Sequence, residues 1–420
     1  MWIHAKTVRS GFLLIPYFLM LAVGLLLPSD GQHGILSVKS LSFLLTFFSL
    51  ATYVAFSQKY KTSQIKLFIS VGFSVAFLLT WLLIGMIQDE TTSLAQWDQF
   101  KLFIITLFVP LASLYLLKEN IITPQSLYKA AIYANFTYIF LKVMLVALHL
   151  LNLVDIWNLL ETVGFRFMRM NIYGGIDRIQ TSVDLVTPFL LLFVLHSKSL
   201  GVSLSRSFKW SYFVLSLLST FLSFSRLLLA VYFLSLLLYW LTLGPKGLFK
   251  GFVVLVLSSA AAYQAIGPEK VNHMIERRFF SRDNTQSDST RVQQTNALLD
   301  NFEKHSFFGK GIGGYASGYI RDKDLLHSYE VQWVAFLMQF GVLGLLLLFL
   351  PLLYTATRFL KPPFSRTRIA FLALFLIWLL SGLTNPFLIS LASGIIYTLF
   401  FVADTALRSK ESPPIPNAFV

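Results

Sequence analysis

Residues 325–347 read "LLHSYEVQWVAFLMQFGVLGLLL", and from Val331 to Thr357 the chain carries no charged residue. A helix needs about 20 apolar residues to cross the hydrocarbon core of a bilayer, so this run predicts a membrane span over 331–354. The pattern recurs from end to end. Further candidate spans fall at 11–27, 35–56, 67–87, 101–117, 130–151, 183–200, 209–223, 225–243, 248–266, 369–384 and 386–404. Of the 420 residues 56% are hydrophobic, 41 are phenylalanine and only 13% are charged, with a mean hydropathy of +0.68. No soluble core needs so much apolar material. The expected fold is an all-α integral membrane protein of about 12 transmembrane helices.

Four parts follow along the chain: nine spans over 1–266 with an outer loop at 152–182, a large periplasmic loop at 267–330, three spans over 331–404, and a cytoplasmic tail at 405–420. The breaks at "SFSR" (223–226) and "TNPF" (384–387) leave 209–243 and 369–404 open between a hairpin and a kinked helix. The first apolar run, Gly11 to Leu27, has no small-x-small cleavage site and reads as a retained span. There is no cysteine, so neither disulfides nor thiolate metal sites enter.

Basic residues place the loops. With the N-terminus inside, more than half of the 34 Lys and Arg fall on cytoplasmic segments, among them Lys59, Lys61 and Lys66, and the group Arg358, Lys361, Arg366 and Arg368. Loop 28–34 has no Lys or Arg, and 88–100 carries Asp89, Glu90 and Asp98. Both termini are therefore expected in the cytoplasm of a multi-pass protein. Much of the net charge of +14 is then a topology signal and requires no nucleic-acid partner.

The long outer loops break the rule, with Arg166, Arg169 and Arg178 in one and Arg277, Arg278, Arg282, Arg291, Lys310 and Arg321 in the other. Arg226, in "LSFSRLLLAVYF", sits at or just inside the outer boundary, where an arginine costs about 2.5–3.5 kcal/mol on insertion scales and commonly faces a polar cavity. Snorkelling explains any single arginine equally well. Together they make an electropositive outer face suited to an anionic ligand such as a lipid phosphate.

In "SDSTRVQQTNALLDNFEKH" (287–305), Asp288 or Ser289 can cap a helix with Val292, Leu298, Leu299 and Phe302 roughly on one face. The following "FFGKGIGGYASGY" (307–319), which contains Lys310, is dense in glycine. Such a segment makes tight turns and close backbone approaches, and its amides can also cradle a phosphate. In "RDKDLLHSYE" (321–330), Asp322 and Asp324 form a D-x-D pair that falls short of the six oxygens a hard cation takes. His327 and Glu330 share a face if the next helix has already begun, so that Glu330 orients the imidazole.

Read together, "GGIDRIQTSVDLVTPFLLLF" (174–193), "SFSRLLLAVYF" (223–233), "STRVQQTNALLDNFEKHSFFGKGIGGY" (289–315) and "HSYEVQWVAFLMQFGVLGLLL" (327–347) resemble, in order and spacing, the O-antigen ligase and Wzy-type O-antigen polymerase superfamily. The resemblance implies a helical fold similar to C-type glycosyltransferases. It also implies a metal-independent glycosyltransferase of the bacterial inner membrane, without cofactor. Such enzymes move a glycan from undecaprenyl diphosphate, on the periplasmic side, to a hydroxyl of a glycan or lipid A-core acceptor. Arg178 and Arg226 match the family's functional arginines, His327 its histidine, and Arg291 the arginine that opens the loop helix. Leu326 and Ser328 stand where many ligases have a second histidine or an asparagine, a departure that leans toward a polymerase.

The residue types suit that chemistry by themselves. A diphosphate leaving group needs fixed positive charge, which arginines supply without a metal, and an attacking hydroxyl needs a base, which a neutral imidazole with a reference pKa near 6.5 provides. His327, Arg226 and Arg178 are thus the candidate catalytic residues, with Arg291, Glu330 and Lys310 as substrate contacts. The competing expectation is a flippase or transporter of lipid-linked oligosaccharide, which calls for charges spread through many helix interiors and for repeated halves. Lys142 is the one basic residue placed inside a span, and no half-to-half repeat is visible.

Overall fold

The computed structural model describes residues 2–27, 37–56, 62–88, 93–162, 168–173, 176–276, 282–321, 325–362 and 364–411. Five helices open the chain: α1 (Trp2–Leu26), α2 (Val38–Ala55), α3 (Thr62–Gln88), α4 (Ser93–Lys118) and α5 (Pro124–Leu150). A short α6 (Ile156–Thr162) leads to an antiparallel hairpin, β1 (Met168–Tyr173) with β2 (Ile176–Gln180), and then to α7 (Thr187–Leu195). Next come α8 (Arg206–Leu222), α9 (Arg226–Thr242), α10 (Pro245–Ile266), α11 (Pro268–Ile275) and α12 (Arg282–Lys304). Helices α13 (Gln332–Phe359), α14 (Arg366–Ser381) and α15 (Leu391–Glu411) close the bundle.

Six helical stretches among the described residues are long and apolar enough to cross a membrane: 38–55, 64–88, 96–118, 124–150, 332–359 and 391–408. Shorter apolar helices cover 11–26 and 226–242. Large apolar side chains such as Phe48, Ile69, Phe249 and Leu353 are turned outward, as in a bundle whose solvent is lipid. The chain is an α-helical, multi-pass membrane protein. The expected span at 183–200 is not one long helix: a 3-10 turn (Val183–Leu185) precedes α7, which has nine residues and alone reaches only about 14 Å at 1.5 Å per residue. Buried on every side, from Phe189 to Val194, it is a core helix packed on α9 and the rest of the bundle.

Both doubtful pairs are hairpins. Ser216 Oγ lies 3.3 Å from the Tyr232 hydroxyl, which donates to Phe213 O at 2.8 Å, so α8 and α9 fold back around Phe224, a non-glycine residue at φ +45°. Trp378 meets Tyr397, and Phe375 meets Phe400 at 5.2 Å between ring centres, across the turn joining α14 to α15.

The glycine-rich segment crosses α13 where that helix breaks, at Gly341 with φ +62°. The amides of Lys310 and Gly311 donate to Met338 O and Gln339 O at 2.8 Å, and Val342 N donates back to Ser306 O at 2.9 Å. Ile312 N donates to Trp81 O on α3, and Gly313 N to the Gln99 side chain on α4. A Cβ on Gly311 would collide with the backbone of Gly85. These glycines allow backbone to pack on backbone, and the amides that a phosphate cradle would need are engaged.

Helix α12 starts at Arg282, earlier than the expected cap, so Asp288 lies inside it. Its buried side matches the expected face in part: Leu298 is fully buried and Phe302 packs with it, but Gln294 is also fully buried, whereas Val292 is 59% exposed and Leu299 38%. The reason is its neighbour. Tyr329, Val331, Ala335 and Met338 pack around Leu298, and Gln294 Oε1 accepts the amide of Glu330 at 2.9 Å.

Candidate functional site

One wall of the site comes from the β-hairpin. Along β2 side chains alternate: Ile179 is buried among Val146, Ile156, Trp157 and Leu160, which turns Arg178 and Gln180 to the opposite face. Arg178 Nε donates to Ser223 O at 2.9 Å, and its NH2 group to the Gln180 side-chain oxygen. Burial pushes this guanidinium below its usual range, while the Asp184 carboxylate opposes the shift; an arginine so placed keeps its charge.

Under this wall lies a buried ion pair. Lys142 Nζ on α5 donates to Asp184 Oδ1 at 2.7 Å, Ser223 Oγ at 2.9 Å and Ser219 O at 3.1 Å. Asp184 Oδ2 accepts the amide of Thr181 at 2.8 Å. The lysine's three donors are thus all used, and Ser223 connects them to Arg178. Lys142, the interior cation of the sequence, holds the turn that follows β2 against the break between α8 and α9.

That break supplies the second wall. Ser225 is the N-cap of α9 but its side chain takes none of the first-turn amides, and Arg226 is the first helical residue. An arginine beside the positive end of a helix dipole makes a strongly electropositive point. Arg226 NH2 is 3.9 Å from Asp288 Oδ1 on α12. One turn on, Arg291 NH1 donates to the same carboxylate at 2.8 Å, and its Nε to Glu330 Oε2 at 2.9 Å. Arg321 NH2 approaches Glu330 Oε1 at 3.3 Å.

These side chains line a cavity of about 770 Å³, closed on the far side by Trp378 and the α14–α15 turn with Thr384, Asn385, Ser390 and Ser393. Four lining arginines, Arg178, Arg226, Arg291 and Arg321, face two carboxylates, Asp288 and Glu330. The expected residues Arg178, Arg226, Arg291 and Glu330 are therefore brought together. Arg321 joins them, a residue the sequence marked only as one more cation of the outer loop.

Two candidates lie elsewhere. Lys310 Nζ donates to Tyr315 O at 3.0 Å and stands over the Tyr315 ring, away from the cavity lining. His327 is 7% exposed and also stands off the lining, in a turn where Ser328 N donates to Leu325 O. Helix α13 begins only at Gln332, so His327 and Glu330 do not share a helical face, and the ion pairs of Glu330 run to Arg291 and Arg321. The D-x-D pair, Asp322 and Asp324, lies outside the described residues. Among the described residues no three His, Asp or Glu side chains converge as metal ligands.

No curated protein matches the chain. Residues 211–349, which carry Arg226, Arg291, Arg321, His327 and Glu330, match the family model described as O-antigen ligase, so over that third of the chain the likeness read from the motifs is borne out.

Proposed function

We propose that this protein is a glycosyltransferase of the bacterial inner membrane that moves a glycan from undecaprenyl diphosphate to an acceptor hydroxyl, as an O-antigen or exopolysaccharide polymerase or ligase. The observation that carries the reading is the convergence of Arg178, Arg226, Arg291 and Arg321 on one cavity, beside the N-terminus of α9. Fixed cations of this density suit a diphosphate, whose negative charge grows as it leaves. The family match supports the transfer, and the charge bias of the loops supports a cavity facing the periplasm with both termini in the cytoplasm.

In this reaction the acceptor oxygen attacks the anomeric carbon. The bond from that carbon to the diphosphate breaks, and the diphosphate departs with the electron pair into the arginine cluster. The hydroxyl proton passes to His327. Attack opposite the leaving group inverts the anomeric centre. Arg178 and Arg226 clamp the diphosphate, while Arg291 and Arg321 exchange Glu330 for it. With the diphosphate in place, His327, in the turn three residues before Glu330, swings toward the acceptor; catalytic hydrogen bonds often tighten only in the substrate complex. A polymerase takes a second lipid-linked repeat as acceptor, and a ligase takes lipid A-core.

The test uses purified protein with a lipid-linked donor and its acceptor. His327→Ala should lower transfer by about 10²–10⁴-fold, the range of a lost general base, with donor binding kept. Arg226→Lys should lower it by about 10²-fold, since a point charge cannot replace the planar fork. Undiminished transfer by His327→Ala removes the base from the proposal, and undiminished transfer by both variants removes the site.

A further inference from the structure

At the other end of the bundle lies a second concentration of positive charge. Helix α15 connects the two, from Ala392 and Ser393 in the arginine cavity to Asp404 and Arg408, on the order of 25 Å away at 1.5 Å per residue. Asp404, 1% exposed, accepts Arg368 NH2 at 2.8 Å, Arg408 Nε at 2.9 Å and Arg358 Nε at 3.2 Å. Arg368 is fully buried, and its NH1 and NH2 groups also donate to Lys361 O and Arg358 O at 2.7 Å, closing the C-terminal turn of α13. That part is structural. The other guanidiniums border a pocket of about 540 Å³ whose lining includes Lys118, Arg358, Lys361 and Arg408, with Asp404 as its one carboxylate. Counting Arg368 behind it, five cations meet one anion, and no ion pair among the described residues engages Lys118 or Lys361. Lys118 and Lys361 thus add positive charge to the pocket beyond the arginines that Asp404 holds.

The pocket is not isolated. Leu114, Lys118, Tyr354 and Phe401 line both it and an apolar groove of about 560 Å³ between α3, α4, α13 and α15, walled by side chains such as Phe73, Leu111, Leu347 and Leu350. The groove touches the arginine cavity at Ile389 alone, whereas it opens into the basic pocket along a four-residue wall. Arg358 stacks over the Phe401 ring at 4.0 Å, so the boundary between charge and hydrocarbon runs through one side-chain pair.

We propose that this pocket and groove together form a binding site for an anionic glycerophospholipid, with the phosphate among Arg358, Arg408, Lys118 and Lys361 and an acyl chain in the groove. A free phosphate shares the headgroup chemistry but has nothing to place in 560 Å³ of apolar space; the joined groove favours the lipid. The lysines and arginines act through their charge near the membrane surface. The site is independent of the glycosyl-transfer reading, because its readout is lipid binding.

The experiment titrates purified full-length protein in neutral detergent with phosphatidylglycerol, phosphatidylcholine and sodium phosphate at one ionic strength, reading lipid adducts by native mass spectrometry and thermal stability in parallel. Phosphatidylglycerol should bind and raise Tm; phosphatidylcholine and phosphate should do neither. Lys118→Gln/Lys361→Gln, which spares the Asp404 cluster and therefore the fold, should weaken phosphatidylglycerol binding roughly tenfold with an unchanged lipid-free Tm. Leu114→Trp, which fills the shared wall, should weaken it with the charges intact. Equal stabilisation by sodium phosphate overturns the lipid assignment in favour of a soluble anion. Phosphatidylglycerol binding untouched by both variants places the lipid elsewhere, the arginine cavity included, and overturns the site.

Discussion

Glu330 sits where the cavity must choose between its own anion and a substrate's. Its carboxylate is shared by Arg291 and Arg321, and a diphosphate entering the cavity competes with it for both. Glu330→Gln keeps the shape and removes the charge. We expect the variant to bind a lipid-linked donor several-fold more tightly, the effect of about 1 kcal/mol for one partly exposed ion-pair partner, and to turn over more slowly, since without Glu330 to take the arginines back the diphosphate product leaves more slowly. Calorimetry with donor alone and steady-state transfer separate the two effects. Weaker donor binding would mean that Glu330 serves to position the arginines rather than to compete for them. At this scale the sequence was informative about Arg178, Arg226 and Arg291, because arginines are conspicuous beside apolar runs. Arg321 was missed because it is one cation among many in a polar loop, and nothing local says that residues 291, 321 and 330 meet.

Among the elements, two couplings hold the cavity in shape. The first is Lys142 with Asp184, side chains 4% and 1% exposed, which ties α5 to the 3-10 turn after β2 and to the α8–α9 break. Breaking a buried pair by removing one partner costs about 3–5 kcal/mol, because the other charge is left uncompensated, whereas replacing both is far milder. Lys142→Met or Asp184→Leu should therefore lower Tm sharply and impair transfer through Arg178, and the double variant should recover most of the Tm and little of the transfer. Equal Tm losses in single and double variants would show that the pair is not the source. The second coupling is the glycine segment on the break in α13. Gly311, at φ +86° and against Gly85, does not admit a side chain: Gly311→Ala should cost at least about 1–2 kcal/mol from its backbone conformation alone, and more from the collision. Gly318, with open space where its Cβ would go, is the matched control and should tolerate alanine. The long apolar helices could be read from their apolar content and length. The β-hairpin could not, since "MRMNIY" and "IDRIQ" earn their pairing from a neighbour, Ile179 on Trp157. Nor could the length of α7, because an apolar run buried in protein looks the same in sequence as one buried in lipid. The early start of α12 was hidden for a similar reason: Asp288 has the chemistry of a cap, but here it faces Arg226 and Arg291 instead.

For the whole molecule, the charge pattern is a statement about sidedness. Lys198, Arg206 and Lys209 flank the connection between α7 and α8, whereas the segment holding Arg291 and Arg321 packs at the opposite end of the bundle, over the start of α13. If basic connections mark the cytoplasmic side, the arginine cavity opens to the periplasm and the Asp404 cluster lies at the inner leaflet. The absence of cysteine makes this directly testable, because any thiol introduced is the only one present. Ser317→Cys lies on an exposed turn beside Gly318, and Ser203→Cys on the exposed connection before α8. In intact spheroplasts a membrane-impermeant maleimide should label the first and spare the second, and permeabilisation should make both reactive. The reverse pattern would invert the topology and place the arginine cavity on the cytoplasmic side, where a periplasmic acceptor cannot reach it; labelling of both before permeabilisation would put the two connections on one side and break the link between charge and sidedness on which the orientation rests.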